Sequence, residues 1–189
     1  MLPGKLIIIS SPSGGGKDTV IEKLLSLFPG SVRMTTVTSR HPRPGEVDGI
    51  NYFFVSENEF KKKIAAGEML EYNIYAGNYY GTSKLILEKL QNEHQIIFSN
   101  IEVNGKHNLD KSGIKHLSIF LNPESLDILK SRIERRGGVT EKELNERLKI
   151  AEEEMIKSKD YDFHFVNAEG KLANVVENIE KTIKEWLMR

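Results

Sequence analysis

The sequence predicts an α/β protein built on a mostly parallel sheet with helices on both faces. Leu6–Ile9 is an uninterrupted apolar run, as expected of a central strand covered on both sides. Ile96–Phe98 and His116–Leu121 read as two further strands, with stretches of helical spacing between them. Ser13, Gly14, Gly15 and Gly16 follow the first strand directly and open a helix, in which Val20, Ile21, Leu24, Leu25 and Phe28 recur before Pro29-Gly30 stops it.

That glycine turn is the chemical focus of the chain. Successive backbone N–H groups and the positive end of a helix dipole both favour an anion there. The pattern is a P-loop, G-x-x-x-x-G-K-[ST], with two departures: Ser11 replaces the first glycine, and Asp18 stands where a hydroxyl usually meets magnesium. Gly16-Lys17 are intact, so a nucleotide phosphate site is expected.

The chain of 189 residues suits one domain with a sizeable core. Its 27 basic and 27 acidic residues cancel, which removes any global attraction to nucleic acid or a membrane surface. With no cysteine, disulfides and thiolate metal sites are excluded. The N-terminal apolar run is too short for a signal peptide, so a cytoplasmic protein is the expectation. Arginine placement is more informative: Arg33, Arg40 and Arg43 form one group, and Arg132, Arg135, Arg136 and Arg147 another, and arginine's fork suits phosphate.

The elements follow in order. Arg33–Thr38 reads as a strand, broken by the proline- and glycine-rich loop SRHPRPGEVDG, which carries Arg40, Arg43 and Glu46. Tyr52–Val55 is extended, and Ser56 with Glu59 makes a capping box for a helix ending near Gly67. Met69–Tyr75 is extended again, Gly77–Thr82 reads as a turn, and Leu85, Ile86 and Leu90 mark a helix. After His116–Leu121, Asn122-Pro123-Glu124 reads as an N-cap, a first-position proline and an acidic first turn for a helix towards Arg136. Gly137-Gly138 interrupts, and Thr140 with Glu143 caps a helix to about Ser158. Phe163–Val166 is a last strand, and Leu172, Val175, Val176, Ile179, Ile183 and Trp186 share one face of a C-terminal helix. Residues from about 35 to 90 break the simple alternation and read as an inserted substrate lobe.

The segments PSGGGK (12–17), SRHPRPGEVDGINYFFVS (39–56), GEMLEY (67–72), GNYYGTS (77–83), the arginine-rich stretch 132–136 and Val166-Asn167 together resemble the guanylate kinases, over nearly the whole chain. The resemblance implies ATP as phosphoryl donor, Mg2+, and GMP, with dGMP beside it, as acceptor. It implies no obligatory protein partner. A P-loop three-layer parallel sheet with helices on both faces is then expected as a core over 1–34, 91–125 and 155–189. To it are added a mixed α+β GMP-binding lobe over about 35–90 and a helical lid over about 126–154.

By the family pattern Arg40, Arg43, Tyr52 and Tyr80 hold the GMP phosphate, while Glu71 accepts from the guanine N1–H and 2-amino group, with Thr36, Thr82 and Glu102 completing the base site. Adenine lacks that donor pair. Ser13, Gly14, Gly15, Gly16, Lys17, Asp18 and Thr19 match the donor loop, and Arg132, Arg136 and Arg147 the lid and polyphosphate arginines; Asn167 matches a residue near adenine. Lys17, Arg43, Arg132 and Arg147 are the expected catalytic charges, and no side chain need serve as general base. Asp18 is the candidate magnesium ligand. Three stretches depart from the family: Asp18, Arg135 in place of glycine, and Asn100-Ile101-Glu102 in place of two aspartates. Lys-Asp in the loop is shared with ribose 1,5-bisphosphate kinases, which keeps another small-molecule kinase as an alternative. A catalytically impaired guanylate kinase-like binding module is the second.

Overall fold

A computed structural model describes residues 3–75 and 77–188, apart from the side chains of Tyr75 and Arg136. Strands β1 (Lys5–Ser10), β2 (Val32–Arg33), β7 (Ile96–Ser99), β8 (His116–Pro123) and β9 (Phe163–Asn167) form a five-stranded parallel sheet ordered β2-β7-β1-β8-β9. A second sheet comprises β3 (Val37–Thr38), β4 (Phe53–Phe54), β5 (Met69–Tyr75) and β6 (Asn78–Ser83), in the order β4-β3-β6-β5. The chain divides into two compact units, one containing Gly30–His116 and the other Ile7–Pro29 with Leu117–Arg189.

In the unit containing the glycine loop, Ile7, Ile8 and Ile9 are fully buried. Helix α1 (Lys17–Leu27) turns Val20, Ile21 and Leu24 inward and packs on α7 (Leu172–Leu187), whose Val175, Val176, Ile179 and Ile183 form the buried stripe read from the sequence. Helices α5 (Leu126–Arg136) and α6 (Glu141–Lys157) pair through Leu129, Ile133, Leu144 and Ala151. Gly137 and Gly138 take positive φ between them, 69° and 71°, which is where an L side chain would be strained. The Thr140 capping box forms as expected: Glu143 Oε2 accepts the Thr140 N–H at 2.7 Å.

In the other unit, α2 (Glu57–Ala65) buries Phe60 against Val37 and Met69 of the second sheet. Burying a side chain of that size stabilises by roughly 1.5–3 kcal/mol. Helix α3 (Lys84–Glu93) and a short helix α4 (Val103–Lys111) complete it.

Four local expectations are corrected. Gly77–Thr82 is mostly strand: residues 78–83 run antiparallel to β5, with Glu71 opposite Thr82 and Asn73 opposite Tyr80, because the cross-strand ladder satisfies backbone groups that a turn would leave open. Asn122 and Pro123 end β8 in register with Val166 and Asn167, and the N-cap of α5 is Ser125, whose Oγ accepts the Ile128 N–H. The predicted strand Arg33–Thr38 splits into β2 and β3, which join different sheets. Helix α4 was not legible in advance: its buried positions include Gly105 and Lys106, which carry no apolar periodicity. Among the described residues no helix is long and apolar enough to cross a membrane.

Candidate active site

The glycine loop connects the buried end of β1 to α1. Gly14 and Gly16 adopt φ of 91° and 92°, and Gly15 N–H donates to Pro12 O at 2.8 Å. A Cβ on Gly14 would press on Ile133 and Leu129 at 3.2 Å, and one on Gly15 would fall 2.6 Å from Ser11. The loop therefore requires glycine for both conformation and space. Ser11, the departure from the motif's first glycine, fits because its Cβ lies in the space that Gly15 vacates.

A cavity of about 390 Å³ opens beside the loop, lined in part by Gly14, Gly16, Thr19, Arg132, Arg135 and Asn167. Arg132 and Arg135 sit three residues apart on α5 and so share a face. Arg132 donates to the Asn167 carbonyl at 2.9 Å, and Arg135 to Glu169 at 2.9 Å. Ser13 and Lys17 are half-buried, while Asp18 and Thr19 are exposed in the first turn of α1. Arg147 lies half-buried on α6, where its charge helps hold Glu143 below the ordinary carboxylate range, after hydrogen bonds from the Thr140 backbone and side chain. The Arg136 side chain lies outside the described residues.

The acceptor candidates gather in the other unit. The Arg40 guanidinium lies 5.5 Å from the Tyr52 ring centre, and the Tyr52 and Tyr80 rings are 6.0 Å apart. Burial opposes the Arg40 charge, yet the Glu46 carboxylate at 2.8 Å and Tyr80 hold its pKa above the ordinary value. Glu46 also accepts the Arg43 backbone N–H at 2.7 Å. One carboxylate thus orders both arginine positions, a role the sequence showed only as a glutamate in an arginine-rich loop. The Arg43 side chain is exposed.

Glu71 is buried, and Thr82 Oγ1 donates to its Oε1 at 2.7 Å. Burial first, and then the neighbouring charge of Glu102, push its pKa up to about 7 against the opposing Thr82 bond. Glu102 stands at the N-cap position of α4, with Asn73 Nδ2 at 3.5 Å. Thr36 is buried in the same unit. Gly105 is the residue that sequence reasoning missed. A Cβ there would lie 2.7 Å from Glu71 Oε2, so only glycine lets α4 approach the carboxylate.

Magnesium fits this donor set only as a nucleotide-borne ion. Among the described residues no group of three or more His, Asp or Glu could hold a metal, whereas Mg2+ commonly takes one or two carboxylates together with substrate phosphates. Asp18, in the first turn of α1, is the carboxylate that would serve such an ion.

The guanylate kinase family model matches residues 3–186. A guanylate kinase of Lactobacillus johnsonii is 40% identical over 185 residues, covering 96% of this chain and 88% of that protein. One from Trichodesmium erythraeum is 36% identical, covering 97% of each. The crystal structure of guanylate kinase from Anaplasma phagocytophilum superposes with a TM-score of 0.79 at 27% identity, over 100% of this chain and 89% of that one. With a glycine loop opening α1, a buried Glu71 carboxylate, an Arg40 guanidinium against Tyr52, and a family match spanning both units, the chain belongs to the guanylate kinase family.

Proposed function

We propose that two groups of residues divide recognition of the acceptor between them: Arg40, Arg43, Tyr52 and Tyr80 take the GMP phosphate, and Glu71, Thr36, Thr82 and Glu102 take the guanine. The chain is an ATP-dependent nucleoside monophosphate kinase, converting ATP and GMP to ADP and GDP. The observation that carries the acceptor assignment is the buried Glu71 carboxylate beside Thr82, since guanine offers it two donors and adenine does not. dGMP is proposed as a second acceptor.

On the donor side Ser13–Thr19, Arg132, Arg136 and Asn167 surround ATP, with residues 126–154 as the lid and 35–90 as the acceptor lobe. Lys17, Arg132 and Arg147 in one unit, and Arg43 in the other, are the charges assigned to the transferring phosphoryl, since a loose phosphoryl-transfer transition state needs positive charge. Asp18 would hold a nucleotide-borne Mg2+, which would supply further neutralisation of phosphate charge. A cytoplasmic location without an obligatory protein partner completes the reading.

The test offers ATP and magnesium with GMP, dGMP, AMP, UMP or ribose 1,5-bisphosphate and follows ADP formation. Turnover with GMP and dGMP alone is expected. Turnover only with the sugar bisphosphate, or with no acceptor, sinks the reading; neither alternative gains support from the relatives. For the metal, Asp18→Ser is expected to shift the magnesium concentration giving half-maximal rate by about threefold or more, because a charged carboxylate ligand is exchanged for a neutral hydroxyl. An unchanged magnesium titration removes Asp18 from the metal site.

A further inference from the structure

Asn167 ends β9, in register with Pro123, and is only 6% exposed. It lines the cavity beside the loop, but its side-chain nitrogen is already engaged there. Nδ2 donates to the Gly15 carbonyl at 2.8 Å. A backbone carbonyl only accepts, so the amide must present its NH₂ end there. The same nitrogen meets the loop a second time, since a Cβ on Gly16 would lie 2.5 Å from it.

The consequence follows from peptide geometry. The Gly15 carbonyl and the Gly16 N–H belong to one planar trans unit and point in opposite directions. Holding the carbonyl towards Asn167 therefore holds the Gly16 N–H away from it. That amide is one of the donors a glycine loop offers to a phosphate. Glycines at φ of 91° and 92° on this loop have no side chain to resist a peptide flip, so the restraint must come from outside the loop.

We infer that Asn167 is a positioning residue for the glycine loop, fixing the Gly15–Gly16 peptide so that its N–H is presented to the donor polyphosphate. This rests on the loop being the donor phosphate site, and it deepens that reading. It makes the contribution of the Asn167 amide nitrogen independent of the donor base, because that nitrogen is committed to the loop. Arg132 is tied to the backbone oxygen of residue 167, so a side-chain substitution leaves that bond in place.

The experiment measures, by calorimetry on the full chain, the affinities of inorganic tripolyphosphate, ATP and ITP for the unaltered protein, Asn167→Ala and the equal-sized Asn167→Asp, with circular dichroism to establish folding. Asn167→Ala is expected to weaken tripolyphosphate about tenfold, the size of one lost buried hydrogen bond with its partner left unsatisfied. ATP and ITP weaken by the same factor, and Asn167→Asp, which replaces the donor with an acceptor, loses at least as much. Tripolyphosphate binding within twofold of the unaltered chain in either variant overturns the inference. So does a change of more than twofold in the ATP-to-ITP ratio, which would mark a base contact, or an absence of tripolyphosphate binding to the unaltered chain. GMP turnover by the unaltered chain is followed in parallel: no turnover with intact tripolyphosphate binding would sink the kinase reading and leave the role of Asn167 standing.

Discussion

Lys17→Ala lowers the rate of ADP formation from ATP and GMP by about 10²–10³-fold, the usual cost of removing one preorganised charge from a site where negative charge develops. Lys17 is the first residue of α1, directly after Gly16, so the loop backbone fixes where its stem begins. An ammonium is a compact point charge, suited to phosphate oxygens that shift during transfer. The loss is read in kcat at saturating ATP and GMP in a coupled ADP assay. A fall of less than about threefold would place the transition-state charge on the arginines instead.

Glu71→Gln lowers kcat/KM for GMP by about 10²–10³-fold, because the amide NH₂ faces guanine donors and leaves them unpaired. AMP turnover changes little, so the GMP-to-AMP ratio collapses. The same substitution stabilises the free protein at pH 8. The folded-state pKa of Glu71 is raised from 4.5 to about 7, so between those values the native state binds the extra proton. Stability therefore falls as pH rises from about 4.5 to 7, by on the order of 3 kcal/mol in all, and the penalty is absent below that window. The substituted amide carries no such charge, and its carbonyl still accepts from Thr82. The variant's melting temperature is accordingly expected to exceed that of the unaltered chain at pH 8 and to match it near pH 4.5. Because guanine needs the carboxylate form, KM for GMP in the unaltered chain rises as pH drops below about 7, and in Glu71→Gln that component disappears. Equal melting temperatures at pH 8 would show that Glu71 carries no burial penalty. On the proposed assignment, the acceptor site keeps a destabilising group for its selectivity.

Much of this was legible in the residues. Leu6–Ile9 announced a doubly buried strand, Gly14–Lys17 a glycine turn opening a helix, and the capping boxes at Ser56 and Thr140 formed as read. Local signals suffice where a few neighbouring residues settle the backbone. The GNYYGTS stretch misled, since its glycines and hydroxyls suit a turn, whereas pairing with β5 makes most of it strand. Helix α4 was invisible because Gly105 and Lys106 occupy buried positions that an apolar pattern would have filled.

Residue type and spacing along the chain were enough to establish the family, the α/β plan and the identities of the charged groups, because each of these is written in short stretches of neighbouring residues. How those groups are held became visible only in three dimensions. Glu46 binds the Arg40 side chain and the Arg43 backbone, Gly105 admits α4 to the Glu71 carboxylate, and Asn167 reaches Gly15 across 152 positions of sequence. Such contacts are set by sheet register and close approach, which no local pattern encodes.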